Sequence, residues 1–531
     1  MTMSRRALIQ RIGAVGGYTA AYTAMQALGL VAPASAFAQT APPNLAAGGG
    51  GKGAKVVILG AGVAGQSAAY ELGKAGDACT VIDARARPGG RAWTVRRGDT
   101  IKLTDGPDQT CDFDEGQYFN AGPARLPSHH QIVLGYCREL GVELEVEVNS
   151  SRSAFIENPG VNGGKPIQLR RAMNDTRGHV SELLAKAINK GALDQELTAD
   201  DKQKMIAFLK TYGDLTSDML YKGSQRAGLK TLPGAGDEKA SAFDPLPLRL
   251  LLEEDMWNGV LFEETIDMQA TMFQPKGGMD RISYAFANAL GPLVKFRSEV
   301  RQIKKTATGV RVAYRDMATG QDAAVEADYC ICTIPLVVLK DIDVDLSPAY
   351  KTVVDRTPYR DSVKIAWQAP RFWEGPQYQI YGGLSHVKGA NALIWYPSYG
   401  LHSKTGVLLG AYTGGGGASA LIAMGRQGAF DYTRNSIDQL HPGAGMLLEK
   451  PLMVRWSTVP YNFGISGGLA ADAAGYALLG QPDGPIYFAG EHLSHVGAWQ
   501  EGAIRSAHRT IVMLDAAHRK GQPVTGYRLQ A

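Results

Sequence analysis

The sequence predicts an α/β protein with one domain assembled from distant parts of the chain and a second domain built on a mixed or antiparallel sheet. Three observations predict it. A short β-branched run, Lys55–Leu59, leads straight into a G-x-G-x-x-G turn and a helical stretch. A second apolar strand ending in Gly-Glu, Pro485 to Glu491, stands over 400 residues later. Between them, residues 361–413 hold several short apolar runs suited to a separate sheet.

Lys55-Val56-Val57-Ile58-Leu59 has the composition of a strand buried on both faces. Gly60-Ala61-Gly62-Val63-Ala64-Gly65 follows, then a helix to about Ala75 and a second apolar run, Cys79 to Ile82, ending at Asp83. That order is the context in which the glycine motif acquires meaning. Gly60 permits the tight turn, Gly62 lets backbone approach a pyrophosphate, and Gly65 brings the helix close to the strand. The helix N-terminus then offers free N–H groups to phosphate. Asp83 is placed to accept from the ribose hydroxyls of an adenosine.

The chain has 531 residues, enough for two or three domains. With 45% hydrophobic and 20% charged residues it has the composition of a globular protein with a full core. Its 64 glycines suit a fold with many close backbone approaches. A net charge of +4, without any long basic run, argues against nucleic acid as a partner. Cys79, Cys111, Cys137, Cys330 and Cys332 are scattered, with no C-x-x-C pair to suggest a metal, and are read as structural.

Residues 1–38 resemble a bacterial twin-arginine signal peptide, with Arg5-Arg6, a weakly apolar stretch to about Leu30, and Ala36-Phe37-Ala38 as a cleavage site. Glycines and Gln26 interrupt the stretch, so stable membrane insertion after processing is not expected. Removing this segment takes three arginines and no acid, so +4 becomes +1. Residues 39–53, with Gly48 to Gly51, read as a linker.

Asp83-Ala84-Arg85-Ala86-Arg87-Pro88-Gly89-Gly90-Arg91 resembles the second signature of flavoproteins with the glutathione-reductase-type FAD fold. That resemblance selects FAD over NAD. It implies that Gly89 and Gly90 form a pyrophosphate turn, that Arg91 pairs with the pyrophosphate, and that Arg85 lies by the adenosine. Gly490-Glu491 and Gly497-Ala498-Trp499-Gln500-Glu501-Gly502, opening a helix to about His518, resemble the closing motif of the flavin-containing amine oxidase family. There the acid, here Glu491, holds the ribityl chain. Phe273 to Arg281 and the strand Val294 to Val300 resemble further segments of that family, with Val300 meeting the adenine. The resemblance covers most of residues 54–516 and is weakest across 150–260.

Within that family the sequence is most similar to bacterial L-amino acid oxidases. Arg125, in Asn120-Ala121-Gly122-Pro123-Ala124-Arg125-Leu126-Pro127, matches the arginine that grips a substrate carboxylate, for which a guanidinium fork is suited. His129 and His130, just after it, are read as helix-start residues rather than catalysts. Trp499 matches the aromatic wall beside the substrate, and Ala498 could offer a carbonyl to the amino group. Lys364, in the alternating run Asp361 to Trp367, matches the lysine bridged to flavin N5 through water. Asn391 to Pro397 resembles the strand supplying a carboxylate-binding tyrosine, which implies Tyr396 over Trp395; strand neighbours face opposite sides, so only one of the two is expected to point at the substrate. Trp456 to Gly480 lacks the cysteine that family members with covalent flavin use, so FAD is expected to be held noncovalently.

The resemblance implies oxidative deamination: hydride passes from Cα to flavin N5, O2 becomes hydrogen peroxide, and the imino acid hydrolyses to a 2-oxo acid and ammonia. A monoamine or polyamine oxidase, an L-amino acid 2-monooxygenase and a non-catalytic flavin-binding protein stay open as alternatives. The expected organisation is an FAD domain from 54–130, 270–345 and 470–520. A substrate domain would come from 131–165 and 346–469, with a helical insertion at 166–269. Asp200 and Asp201 are expected to cap the second helix of the insertion, over Asp200 to Tyr212. Glu253, Glu254 and Asp255 are read as a solvated face rather than a side-chain selector. A homodimer is the family's habit.

Overall fold

The computed structural model describes residues 53–518, together with 42, 43 and 45. The proposed signal and most of the linker lie outside the described residues. Among the described residues no helix is long and apolar enough to cross a membrane.

A five-stranded parallel sheet forms the first body. Its order is Val294–Lys295, Ala78–Ile82, Lys55–Leu59, Tyr329–Cys332 and Ile486–Phe488. Alternation along Lys55–Leu59 sends Val56 and Ile58 into one apolar cluster and Val57 and Leu59 into another. Both faces are therefore covered, which is why this strand reads as a continuous apolar run. The helix Val63–Lys74 packs between Arg281–Leu290 and Gln500–His518 on the first face. All five cysteines are buried and free.

The second body is a seven-stranded mixed sheet, in the order Ile167–Gln168, Phe155–Glu157, Gly383–Val387, Leu393–Tyr396, Thr405–Gly414, Ser362–Pro370 and Glu449–Arg455. The Phe155–Glu157 and Gly383–Val387 pair is parallel and the other pairs are antiparallel. One face holds Val363, Ile365, Trp367, Ile394 and Tyr396 in a single core. The opposite face holds Leu393, Trp395, Ala366 and Leu409.

Three details differ from the sequence-based expectations. Gln131–Glu139, assigned to the substrate domain, packs Ile132, Val133, Tyr136 and Cys137 into the core of the first body. Glu501 reaches from the C-terminal helix and accepts from Val133 N at 2.9 Å, filling the start of a helix that has no side-chain cap of its own. The strand expected over 294–300 is broken. Arg297 sits at φ +55°, and the chain leaves the parallel sheet there to begin Ser298–Thr306 in a separate four-stranded sheet. In the insertion, helices run over Leu169–Asn189 and Ala199–Tyr212. The cap of the second is Thr198, whose side chain accepts from Asp201 N while Asp201 accepts from Thr198 N. Leu169–Asn189 roots the insertion: Leu169 and Ala172 join the substrate-domain core, while Ala185 and Ile188 join the insertion's own cluster.

Gly65 shows why the first turn needs glycine. A Cβ there would stand 2.0 Å from Gly60 O, whereas one on Gly62 meets nothing within 4 Å. Gly65→Ala is expected to cost about 2 kcal/mol or more through backbone displacement, while Gly62→Ala folds normally; urea unfolding of both variants checks the contrast.

Candidate active site

A cavity of about 600 Å³ runs between the two bodies. Gly60, Gly62, Asp83, Arg85, Gly89 and Gly90 line it. So do Arg91, Val300, Gly490, Glu491, Ala498, Trp499 and Lys364. Gly65 lies behind the wall, where it permits the helix to approach the strand.

The turn after the first strand is built as an anion cradle. Gly60 has φ +110°, Gly89 +95° and Gly90 +56°, a backbone region that side chains rarely adopt. Gly62 caps the helix Val63–Lys74 without contributing a side-chain acceptor, and no acid occupies the first turn. The N–H groups of that turn therefore face the cavity without a competing carboxylate. Asp83 braces the cradle, accepting from Ala61 N at 2.7 Å and from Arg85 N at 2.8 Å. Arg85 is held by Pro460 O at 2.9 Å and Asn462 Oδ1 at 2.5 Å, with the Tyr461 ring 5.6 Å away. Tyr461 and Asn462 line the cavity too and carry no motif by which sequence could have found them.

Arg91 and Glu491 form an ion pair of 2.7 Å across 400 residues of sequence. Burial works against both charges. Even so, Glu491 holds the guanidinium above its ordinary pKa, and Arg91 holds the carboxyl below its own. Glu491 also accepts from Gly467 N at 3.1 Å and from Ala498 N at 3.2 Å, and Ala498 sits at φ +65°. One carboxylate thus locks the turn before Trp499.

Lys364 is 2% exposed and donates to Asn120 O at 3.1 Å and Gly122 O at 2.5 Å. Burial, with Arg125 nearby, lowers its pKa to about 7. Its register partner Tyr412 places a ring 4.5 Å from Nζ and lines the cavity beside Trp456 and Trp499. Tyr412 and Trp456 were not foreseen; Trp456 donates Nε1–H to Ala121 O at 3.0 Å.

Arg125 is buried just behind this wall. Its guanidinium lies 4.8 Å from the Trp395 ring and 5.7 Å from Phe262, and it donates to Asn149 Oδ1. Lys364 Nζ approaches the same Trp395 ring at 5.8 Å. Glu147, in the strand Leu144–Glu147, is buried nearby. Desolvation raises its carboxyl to about 7 against the pull of Arg125.

Tyr396 requires correction. It is fully buried on the core face with Ile394, and its hydroxyl bonds His441 Nε2 at 2.6 Å and Ser385 Oγ at 2.9 Å. Strand alternation gives the cation-facing side to Trp395. Tyr396 is a core residue with its hydroxyl satisfied.

Residues 63–510 match the family model for flavin containing amine oxidoreductases. The chain belongs to this family. FAD is its cofactor, and the glycine cradle, the acid at the end of the second strand and the helix N-terminus fit such a dinucleotide. An L-amino-acid oxidase of Siganus canaliculatus is 27% identical over 464 residues, covering 86% of this chain and 84% of that protein. An L-amino-acid oxidase of Bothrops pauloensis is 29% identical over 468 residues, covering 85% and 87%. Among solved structures, a putrescine oxidase bound to putrescine superposes with a TM-score of 0.59 at 20% identity, covering 87% of this chain and 99% of that one. A cyclohexylamine oxidase of Brevibacterium oxydans gives 0.58 at 16% identity, covering 88% and 100%. These structures share the fold.

Glu491→Gln leaves Arg91 buried without its counter-charge. It is expected to cost about 3 kcal/mol and to weaken flavin retention through gel filtration. A carboxyl held below its ordinary pKa stabilises fully above that ordinary value and loses its contribution as pH falls through the lowered one. Thermal unfolding should therefore show the gap between wild type and variant closing on acidification.

Proposed function

We propose that the chain is an L-amino acid oxidase, producing a 2-oxo acid, ammonia and hydrogen peroxide. The observation that carries this reading is a buried guanidinium, Arg125, which lies behind the cavity wall and shares the Trp395 ring with Lys364, a residue that lines the cavity. A buried arginine suits a substrate carboxylate, because its fork makes two parallel bonds; burial lowers the pKa of this guanidinium, so a carboxylate partner offsets the cost of its charge. The sequence likeness to L-amino-acid oxidases over most of the chain supports the same substrate class.

The bound flavin supplies the hydride acceptor and passes its electrons to O2. The protein's own groups orient and seal. Arg125 takes the carboxylate, Trp499, Trp456 and Tyr412 wall the slot, and the fixed carbonyls of Asn120 and Gly122 aim the Lys364 ammonium into the cavity. With a pKa near 7, Lys364 exchanges a proton at neutral pH with little driving-force penalty. Noncovalent retention of FAD is supported by the positions of the five cysteines, none of which lines the cavity. Export by the twin-arginine route and a homodimeric state are part of the proposal on sequence resemblance alone.

Peroxide release from each L-amino acid, measured beside its decarboxylated amine, tests the reading. Turnover of the amino acid but not the amine, with Arg125→Met raising KM about 100-fold or more, is the expected outcome. Turnover mainly of amines makes this an amine oxidase. Oxygen uptake with an amide product makes it a monooxygenase.

Glu147 generates a pH dependence. Below about 7 its carboxyl is neutral and leaves Arg125 free for substrate; above that it ionises and competes. KM is expected to rise between pH 6 and 8, and Glu147→Gln should flatten that rise. A KM profile unchanged by the substitution would refute the competition.

A further inference from the structure

His129, His130 and Asp267 meet beside the cavity, at a place the proposed reaction does not use. His129 Nε2 lies 2.8 Å from Asp267 Oδ1, and His130 Nε2 lies 3.5 Å from the same oxygen. The three ligand atoms fall within 4.8 Å of one another. Ligands of a tetrahedral zinc ion, bound at about 2.0–2.1 Å, stand roughly 3.3 Å apart. The two observed separations bracket that spacing.

His130 carries the second, independent observation. Its side chain is 3% exposed, yet neither ring nitrogen makes a hydrogen bond among the described residues. A buried imidazole without a hydrogen bond is costly. One edge of the ring is occupied by Trp499, whose centroid is 5.1 Å away, and His129 packs against it at 4.6 Å. The ring is therefore held in place by packing, with a nitrogen directed toward Asp267. The positive charge of Arg505 also acts on His130, and Glu501 meets that charge at 3.0 Å.

We propose that His129, His130 and Asp267 bind a divalent first-row transition metal of the zinc class, with water completing the coordination. Two imidazoles and one carboxylate suit zinc and disfavour calcium or magnesium, which take all-oxygen shells. The metal joins the start of the helix Gln131–Glu139 to the short turn Ile266–Met268. Met268 O accepts from Asn149 Nδ2 at 2.8 Å, and Asn149 Oδ1 accepts from Arg125. Occupancy thus stiffens both the backing of Trp499 and the support of Arg125. His129 and Asp267 are about one-third exposed, which leaves the ion a path from solvent.

The test uses the full-length flavin-loaded protein, stripped with EDTA and freed of chelator. Zn2+ is titrated by calorimetry, Co2+ by its visible d–d bands, and the melting temperature is followed with added Zn2+. One Zn2+ per chain is expected, with a rise in melting temperature by mass action. His129→Gln and Asp267→Asn should each weaken binding about tenfold or more, while His402→Gln, at an exposed histidine elsewhere, leaves it unchanged. Absence of a zinc-dependent rise in wild type overturns the proposal. So does equal binding by wild type, His129→Gln and Asp267→Asn. Flavin absorbance in each variant reports folding independently of the metal.

Discussion

The buried ion pair between Arg91 and Glu491 is the contact on which the site depends. Its two halves are 400 residues apart, and each belongs to a turn that forms one wall of the flavin cavity. Desolvation alone makes such a pair weak evidence for stability. Here the backbone repays it: Glu491 accepts from Gly467 and Ala498, and Arg91 donates to Ile465 O at 2.8 Å. The pair thereby ties the Gly-Gly-Arg turn, the segment around 465 and the approach to Trp499 into a single frame.

The second sheet presents one cation to the cavity, Lys364. The Ser362–Pro370 strand sends Val363, Ile365 and Trp367 into the apolar core and turns Lys364 toward the cavity. The Leu393–Tyr396 strand does the same with Ile394 and Tyr396 inward and Trp395 outward. Arg125 and Lys364 both approach the Trp395 ring, at 4.8 and 5.8 Å, so two like charges face each other in a medium of low dielectric. Arg125 contributes to the lowered pKa of Lys364, after burial itself. Glu147, whose carboxyl burial raises to about 7, is only partly ionised at neutral pH and so cancels neither charge in full. A buried guanidinium and a titratable lysine thus belong to the same cluster.

How much of this was legible in the sequence varies with the kind of signal. Gly60, Gly62, Gly65, Asp83 and the Gly89–Arg91 turn are contiguous, and their backbone demands can be read locally. Tyr396 illustrates the opposite. Period-two alternation says that only one of Trp395 and Tyr396 faces the site, but which one depends on how the strand is seated between two cores. The family resemblance pointed to Tyr396, and His441, 45 residues away, is the partner of its hydroxyl. Tyr412, Trp456, Tyr461 and Glu147 sit in unremarkable local sequence and were invisible for the same reason.

The sequence by itself determined the nucleotide-binding turn and the α/β class, because glycine conformations and apolar periodicity act over a few residues, while the pairing of distant flavin segments followed from the resemblance to the family. Only the tertiary structure decided which strand faces line the cavity and where the chain changes sheets at Arg297. It also decided that the helix Gln131–Glu139 belongs to the first body, and that Asp267 meets His129 across 138 residues. Those outcomes depend on long-range packing and desolvation, quantities that no local window of sequence contains.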